Sequence, residues 1–402
     1  MWTCKNKKCR AENYDNSNYC SKCGWPKERN VKRRNLKAAI IATFSFIIIV
    51  IGVWIINLSL HSTVKAEYAD IVRLKDYYSF LTPAKKDAYI ALRTDGSVKT
   101  VGLSEWFSND EINQIESWKN VVQIGVYKNN AVIALKANGD VVSTQINDDE
   151  NNPNTWSNVS SLIIGNNGCY ALTRDGRVLA DSSALWGSNP TSWVDVKRLV
   201  YYAYPESSGV FGLRSDGSVY YNDYYPFFGT PKDVVDIDSS GYIFCCVEKD
   251  GAIVIGGHVP EDDQSLVREA GNIGNVVQAV TFQYVIACRL HDGTVQICGK
   301  DFFPESRSWH DIIDIQKVVI MDVEQDKDHP GNVDVKANLV GLCANGQVVF
   351  SPGSNNDSAL SIQTALSGWK DIVKIKACDG YILGWQRNGA LLAAGIDLNV
   401  LN

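Results

Sequence analysis

Histidine is scarce in this chain: His61, His258, His291, His310 and His329 are the only five in 402 residues. None belongs to an H-E-x-x-H pair, and neither G-x-S-x-G nor a P-loop occurs. The local signatures of a zinc protease, a serine hydrolase and a phosphate cradle are therefore missing. With 45% apolar and 21% charged residues, the composition is neither disordered nor collagen-like. One long apolar run is present where a polytopic membrane protein needs several.

Charge is absent from residues 38–60, and that gap divides the chain. Residues 1–37 hold 11 Lys/Arg against three Asp/Glu, a balance of +8, and residues 61–402 hold 28 against 42, a balance of −14. Between them, AAIIATFSFIIIVIGVWIINLSL runs from Ala38 to Leu60, 23 residues without a charge. A helix of that length spans roughly 34 Å, enough to cross a hydrocarbon core of about 30 Å. It is too long and too far from the N-terminus for a cleaved signal peptide. Six Lys/Arg stand in residues 23–37 and three in residues 61–75. The basic flank predicts a single-pass protein of the cell membrane, with a cytoplasmic N-terminus and an extracytoplasmic C-terminal part. The lipid bilayer is thus an expected partner.

Four cysteines crowd the first tail: Cys4, Cys9, Cys20 and Cys23. The spacing is C-x4-C, ten residues, then C-x2-C, and two such pairs converge on one tetrahedral Zn(II). A tail this short buries no core of its own, so the metal supplies its folding energy. Gly24 suits the turn that aims backbone amides at a ligand sulfur. Four protein ligands leave no open position, so the expected zinc is structural rather than catalytic. The plainer alternatives are two disulfides or unligated thiols. The stretch from Cys9 to Gly24 resembles the short zinc ribbons at the N-termini of bacterial membrane proteins, with Arg10 where that pattern has Gly. The longer string with Trp2 and Asn13 also resembles the Ran-binding-protein type of zinc finger, whose members bind single-stranded RNA or ubiquitin. Trp2, Lys5, Lys7, Lys8 and Arg10 could serve nucleic acid by stacking and phosphate contact, but a solvated basic face beside a membrane is the preferred reading.

The remainder repeats. One string recurs: apolar, any, apolar, two polar residues, Asp/Asn-Gly, any, Val. It reads IALRTDGSV from Ile90, IALKANGDV from Ile133, YALTRDGRV from Tyr170 and FGLRSDGSV from Phe211. It continues as CCVEKDGAI from Cys245, ACRLHDGTV from Ala287, VGLCANGQV from Val340 and LGWQRNGAL from Leu383. The glycines, from Gly96 to Gly389, recur at a mean spacing of about 42 residues. Alternating apolar residues around Asp-Gly or Asn-Gly describe a β-hairpin. A second string precedes each hairpin: Trp or a polar residue, Asp/Asn, then a β-branched run. It is ADIVRL at Ala69, WKNVVQI at Trp118, WSNVSSL at Trp156 and WVDVKRL at Trp193. Later copies are KDVVDI at Lys232, GNVVQA at Gly274, WHDIIDI at Trp309 and WKDIVKI at Trp369. All-strand units of this length favour an all-β fold, a β-propeller, in which neighbours stack. Together the two strings resemble the repeat of the regulator of chromosome condensation, over nearly all of residues 69–395. The resemblance implies a propeller, usually of seven blades; eight units are counted here, so seven or eight blades are expected. The Gly-His-Thr and Trp-Gly signatures of that family are mostly missing. The plan is then a zinc ribbon (1–26), a basic juxtamembrane linker (27–37), a transmembrane helix (38–60) and a β-propeller repeat domain (61–402).

The repeat tryptophans 118, 156, 193, 309 and 369 are expected to pack between blades. Seven cysteines, Cys169, Cys245, Cys246, Cys288, Cys298, Cys343 and Cys378, fall mostly in strand strings, where a thiol serves as a small apolar group. Two loops stand apart. Around the fourth unit, Tyr201, Tyr202, Tyr204, Tyr220, Tyr221, Tyr224, Tyr225, Phe227 and Phe228 form an aromatic cluster suited to ligand recognition, although alternation places about half of any such run in the core. In the seventh unit, Met321 to Lys336 carries Asp322, Glu324, Asp326, Asp328 and Asp334; without a glycine at the sixth position it reads as a solvated acidic loop rather than a calcium loop. The expected function is a membrane-anchored, non-enzymatic binding protein that offers its propeller to a protein, peptide or cell-wall glycan. An extracytoplasmic hydrolase or lyase with a loop-assembled site is the alternative. A nucleotide-exchange-like role is the third, and no DNA contact is expected from a domain at −14.

Overall fold

The computed structural model describes residues 1–4, 6, 8–13, 16, 19–23, 68–74, 86–127, 131–144, 151–165, 168–181, 189–204, 207–221, 227–260, 264–299, 302–323, 333–353 and 357–401. The expected linker and membrane-crossing segment, residues 27–60, lie outside these. No helix among the described residues is long and apolar enough to cross a membrane. The chain divides into two units, Met1–His61 and Ser62–Asn402.

In the first unit, Trp2–Thr3 pairs antiparallel with Glu12–Asn13, and the Cys4 amide donates to the Ala11 carbonyl at 2.8 Å. This two-stranded ribbon brings Cys4 and Cys9 to one end.

The second unit holds eight three-stranded antiparallel sheets among its described residues, each a meander in chain order. Their first strands are Tyr68–Leu74, Val121–Tyr127, Val159–Gly165, Val196–Tyr204, Val234–Ser239, Val276–Phe282, Ile312–Val323 and Ile372–Cys378. Their second strands are Ala88–Arg93, Ala131–Lys136, Gly168–Thr173, Ser207–Arg214, Ile243–Glu248, Val285–Leu290, Val333–Cys343 and Tyr381–Gln386. First strands of consecutive sheets lie side by side. The eighth sheet packs on the first: Tyr381 donates from its hydroxyl to the Ile71 carbonyl at 2.7 Å, and Arg73 donates to the Asp379 carbonyl at 2.8 Å. A closed succession of antiparallel sheets is the architecture of a β-propeller.

Hydrophobic burial is divided the same way. Each pair of neighbouring sheets encloses its own cluster, and the last, with Tyr68, Ile71, Tyr381, Leu383 and Leu398, joins the eighth sheet to the first. Trp118, Trp156, Trp193, Trp309 and Trp369 each sit in one of these clusters, at 3–8% exposure. They are the inter-sheet residues that the repeat predicts.

The two recurring strings turn out to be halves of one joint. The residue at the Asp/Asn position is left-handed in seven sheets: Asn120, Asn158, Asp195, Asp233, Asn275, Asp311 and Asp371 have φ between 47° and 60°. Asn and Asp tolerate this conformation best among residues with a Cβ. The following amide then donates back to the hairpin glycine of the preceding sheet, as Val121 to Gly96 at 2.9 Å and Ile372 to Gly346 at 3.0 Å. The turn of the new sheet closes on the same residue, as Ala137 donates to the Asn120 carbonyl at 2.8 Å. Gly251 shows why the hairpin residue is glycine: with φ of 85°, any Cβ would stand 2.6 Å from the Asn275 backbone.

Three details depart from the repeat as read from sequence. Asp70 is not the counterpart of Asn120; it pairs with Leu92 as Gln123 pairs with Leu135, three places further along the chain. The position read as "any" in the hairpin string is always small: Ala91, Ala134, Ala171, Gly212, Cys246, Cys288, Gly341 and Gly384. Indole rings fill the space above the three glycines, so a Cβ on Gly384 would lie 2.4 Å from Trp369. The glycine after the hairpin survives in five sheets, as Gly102, Gly257, Gly299, Gly353 and Gly395; four lie close against the carbonyl just before the second strand, and Gly353 against that of Ala337 within it. The acidic insertion lengthens the seventh sheet's hairpin, with Asp322 opposite Asp334; residues 324–332 are outside the described set.

Candidate metal centre and exposed aromatic edge

The four N-terminal thiols converge, with all Sγ atoms within 4.8 Å of one another. Cys4 and Cys23 are 3.7 Å apart and Cys9 and Cys20 are 3.8 Å apart. Four sulfurs at about 2.3 Å from one zinc have edges of about 3.8 Å, so the donor set fits a tetrahedral Zn(II). Asn6 turns the first pair: its carbonyl accepts from Cys9 at 2.9 Å and from Arg10 at 3.2 Å, and its side chain accepts from Lys8 at 3.1 Å. Arg10 has φ of 49°, which explains the glycine in the pattern it replaces. Asn13 is buried and splints the two halves, donating to the Ala11 carbonyl at 2.9 Å and accepting from the Ser21 amide at 2.9 Å. Burial pushes the Cys4 thiol up to about 12. Burial would raise Cys20 too, but the Lys22 and Cys23 amides and the Asn13 side chain outweigh it and bring that thiol to about 6. A thiol lowered in this way offers its thiolate more readily. Lys5, Lys7 and Gly24 lie outside the described residues, as does the Trp2 side chain.

The aromatic cluster separates into core and edge. Tyr202 is 2% exposed and tilts on Phe211 with ring centroids 4.8 Å apart. Tyr201 is half-buried over Gly165, and its hydroxyl has no hydrogen-bond partner among the described residues. Tyr204 ends its strand opposite Ser207. Tyr220 stacks on Trp193 at 4.9 Å with Arg214 over its outer face. Among the described side chains of the cluster, Tyr221 and Phe228 present large exposed surface, at 37% and 44%. Phe227 fixes them: it meets Tyr221 edge-on at 4.7 Å and Phe244 edge-on at 4.6 Å, while the Phe228 amide donates to Ile255 at 2.8 Å. Tyr224 and Tyr225 lie outside the described residues. So Tyr202 belongs to the core rather than to an exposed site, and the edge keeps Tyr221 and Phe228.

Sequence reading missed the polar seam along the first strands. Gln123 reaches the next sheet with both ends, donating to the Leu162 carbonyl at 2.8 Å and accepting from its amide at 2.9 Å. Gln278 does the same at Ile315, and Gln316 bridges Ile375 and Ala377. Arg198 pairs with Asp236, and Lys376 grips both oxygens of Asp70 at 2.6 Å. Asp238 accepts from the Thr281 amide at 2.7 Å and hydroxyl at 2.8 Å, with Lys317 at 3.4 Å. These groups are spent on one another across sheet boundaries, which is scaffold chemistry. The described histidines, His258, His291 and His310, are exposed. Of the seven domain thiols, six are buried and Cys378 is half-buried. Burial, with the Glu248 charge, pushes Cys246 up to about 12, and burial pushes Cys378 up to about 11, so they sit as inert packing groups.

No protein-family profile matches the chain, and no curated protein sequence matches it. Among solved structures, the chain is similar to the CRINKLY WD40 ectodomain of the Arabidopsis thaliana receptor kinase ACR4, at 12% identity and a TM-score of 0.42, covering 69% of this chain and 95% of that one. It is also similar to the ectodomain of the Physcomitrella patens receptor kinase CR4, at 9% identity and 0.37, covering 80% and 71%. A third likeness is Prp20p from Saccharomyces cerevisiae, at 16% identity and 0.28, covering 78% and 68%. Likenesses at these scores carry no argument about function.

Proposed function

We propose that this chain is a single-pass membrane protein whose extracytoplasmic propeller, with each of the eight sheets a blade, binds a protein, peptide or cell-wall ligand without catalysing a reaction. The cytoplasmic tail is a structural zinc ribbon held by Cys4, Cys9, Cys20 and Cys23. One observation carries the binding role. The recurring residues and the polar seam are consumed by joints between sheets, whereas Tyr221 and Phe228, anchored through Phe227, keep exposed surface that no described residue covers. Exposed aromatics on a rigid frame offer large contact area at small entropic cost. The uncharged run at residues 38–60 supports the anchor, and the repeat strings support kinship with the regulator-of-chromosome-condensation repeats.

The test is cross-linking on intact cells with tagged full-length chain, followed by identification of the adducts. The double variant Tyr221→Ala, Phe228→Ala should lose the adducts while keeping the melting transition. Adducts unchanged in that variant would place the binding surface elsewhere.

A further inference from the structure

The first strands carry a second recurring feature that the joints do not use. Each bulges after its first residue, as the register shifts between Val121 and Gln123, Val234 and Asp236, Ile312 and Asp314, and Ile372 and Lys374 show. The extra residue points outward. In four sheets it is a large aliphatic: Val122 at 55%, Val235 at 47%, Ile313 at 49% and Val373 at 48% exposure. Val277, half-buried, holds the same place in the sixth sheet. Sheets five to eight thus present an arc of four such side chains, one per sheet, Val235, Val277, Ile313 and Val373, at the end where every first strand begins. Exposed lysines stand three residues before three of these side chains, Lys119 before Val122, Lys232 before Val235 and Lys370 before Val373, while the Lys374 ammonium lies over the Trp385 ring at 4.8 Å. Exposed Asp233, Asp311 and Asp371 share the same rim. Side-by-side β-branched residues at a solvent-facing strand start serve no packing need inside the domain.

The chain itself says what lies near this end. Tyr68 opens the first strand of the first sheet, so the polypeptide enters the domain at the same end as the arc. Only residues 61–67 separate that strand from the uncharged run ending at Leu60. Seven residues span at most about 25 Å even when fully extended.

We propose that this end of the propeller docks on the lipid surface, with the aliphatic arc seated at the headgroup boundary and the lysines beside it facing lipid phosphates. The proposal rests on the membrane-anchored reading above. Aliphatic side chains flanked by lysine are the chemistry of an interfacial contact, in which the apolar group sinks and the ammonium stays with the phosphate. A tether this short keeps the domain near the surface, so a modest contact area is enough to orient it. The Tyr221–Phe228 edge need not share that contact.

The experiment uses the full-length chain in vesicles of phosphatidylcholine and phosphatidylglycerol. p-Benzoylphenylalanine replaces Ile313, Val373 or, as the control, exposed Asp379 at the opposite end of the eighth sheet. Flotation after alkaline extraction is read on the same samples. Lipid adducts at 313 and 373 and none at 379, in chains that float, are expected. Floating chains with no lipid adduct at 313 or 373, with equal adducts at 379, or with protein adducts at 313 in place of lipid, overturn the docking and leave the anchor standing. Chains that fail to float overturn the anchor, and the docking with it.

Discussion

Gly384 lies beneath the indole of Trp369, where an added Cβ would sit 2.4 Å from the ring. The same slot takes Ala, Gly or Cys in all eight sheets. Gly384→Val should therefore cost about 1–3 kcal/mol through overpacking, read as a lower denaturation midpoint at unchanged slope. An unchanged midpoint would mean that the tryptophan is free to move. The slot also accounts for two of the cysteines, since Cys246 and Cys288 occupy it as small apolar groups. Charge at the hairpin tips gives a second residue-scale outcome. The Ser218 hydroxyl and amide donate to Asp216 at 2.6 and 2.9 Å and hold its carboxyl below the usual carboxylate range. A carboxyl depressed on folding adds stability that is whole above its unfolded value of about 3.9 and is lost as the pH falls through the lower folded value. Asn138, Asn345 and Asn388 make the same turn without a charge. Asp216→Asn should thus fold normally, and the gap between wild type and variant should narrow as melts are taken from pH 7 to pH 3. A constant gap would show that the charge does nothing.

At the scale of elements, the proposed zinc ribbon is held by Asn13 as well as by its cysteines. Its side chain ties Ala11 to Ser21 and helps hold the Cys20 thiol low. Outer-shell groups of this kind are worth about 10–100-fold in metal affinity. Asn13→Ala should weaken zinc by that factor in a chelator competition, with all four thiols present; unaltered affinity would reduce Asn13 to a spacer. The convergence of the four thiols was legible because their spacing is local, and Asn13 lies within the same string. The hairpins were legible for the same reason: Asp-Gly and Asn-Gly announce their own turn. The joint was not. Its bond runs from Val121 back to Gly96, so the two strings looked like separate signals. The bulges were missed although doublets such as Val234-Val235 and Ile312-Ile313 hinted at them, because strict alternation cannot bury both residues of such a pair. The aromatic cluster was half legible: alternation predicts that some rings turn inward, but only packing shows that Tyr202 does and Tyr221 does not.

For the whole molecule, closure matters more than any single sheet. No sheet encloses a core alone, and the eighth meets the first through Lys376 and Asp70, Tyr381 and Ile71, and a shared cluster. Repeating residues build that frame, and the proposed function assigns recognition to the residues that differ. In the proposed function, each end of the chain lies in its own compartment. Lysine labelling of intact cells with a membrane-impermeant reagent, followed by peptide mapping, tests it directly. Lys86, exposed at the end of the sheets away from the aliphatic arc, should be modified on intact cells, whereas exposed Lys22 beside Cys23 should be modified only after lysis. Modification of Lys22 on intact cells with Lys86 protected would contradict the account.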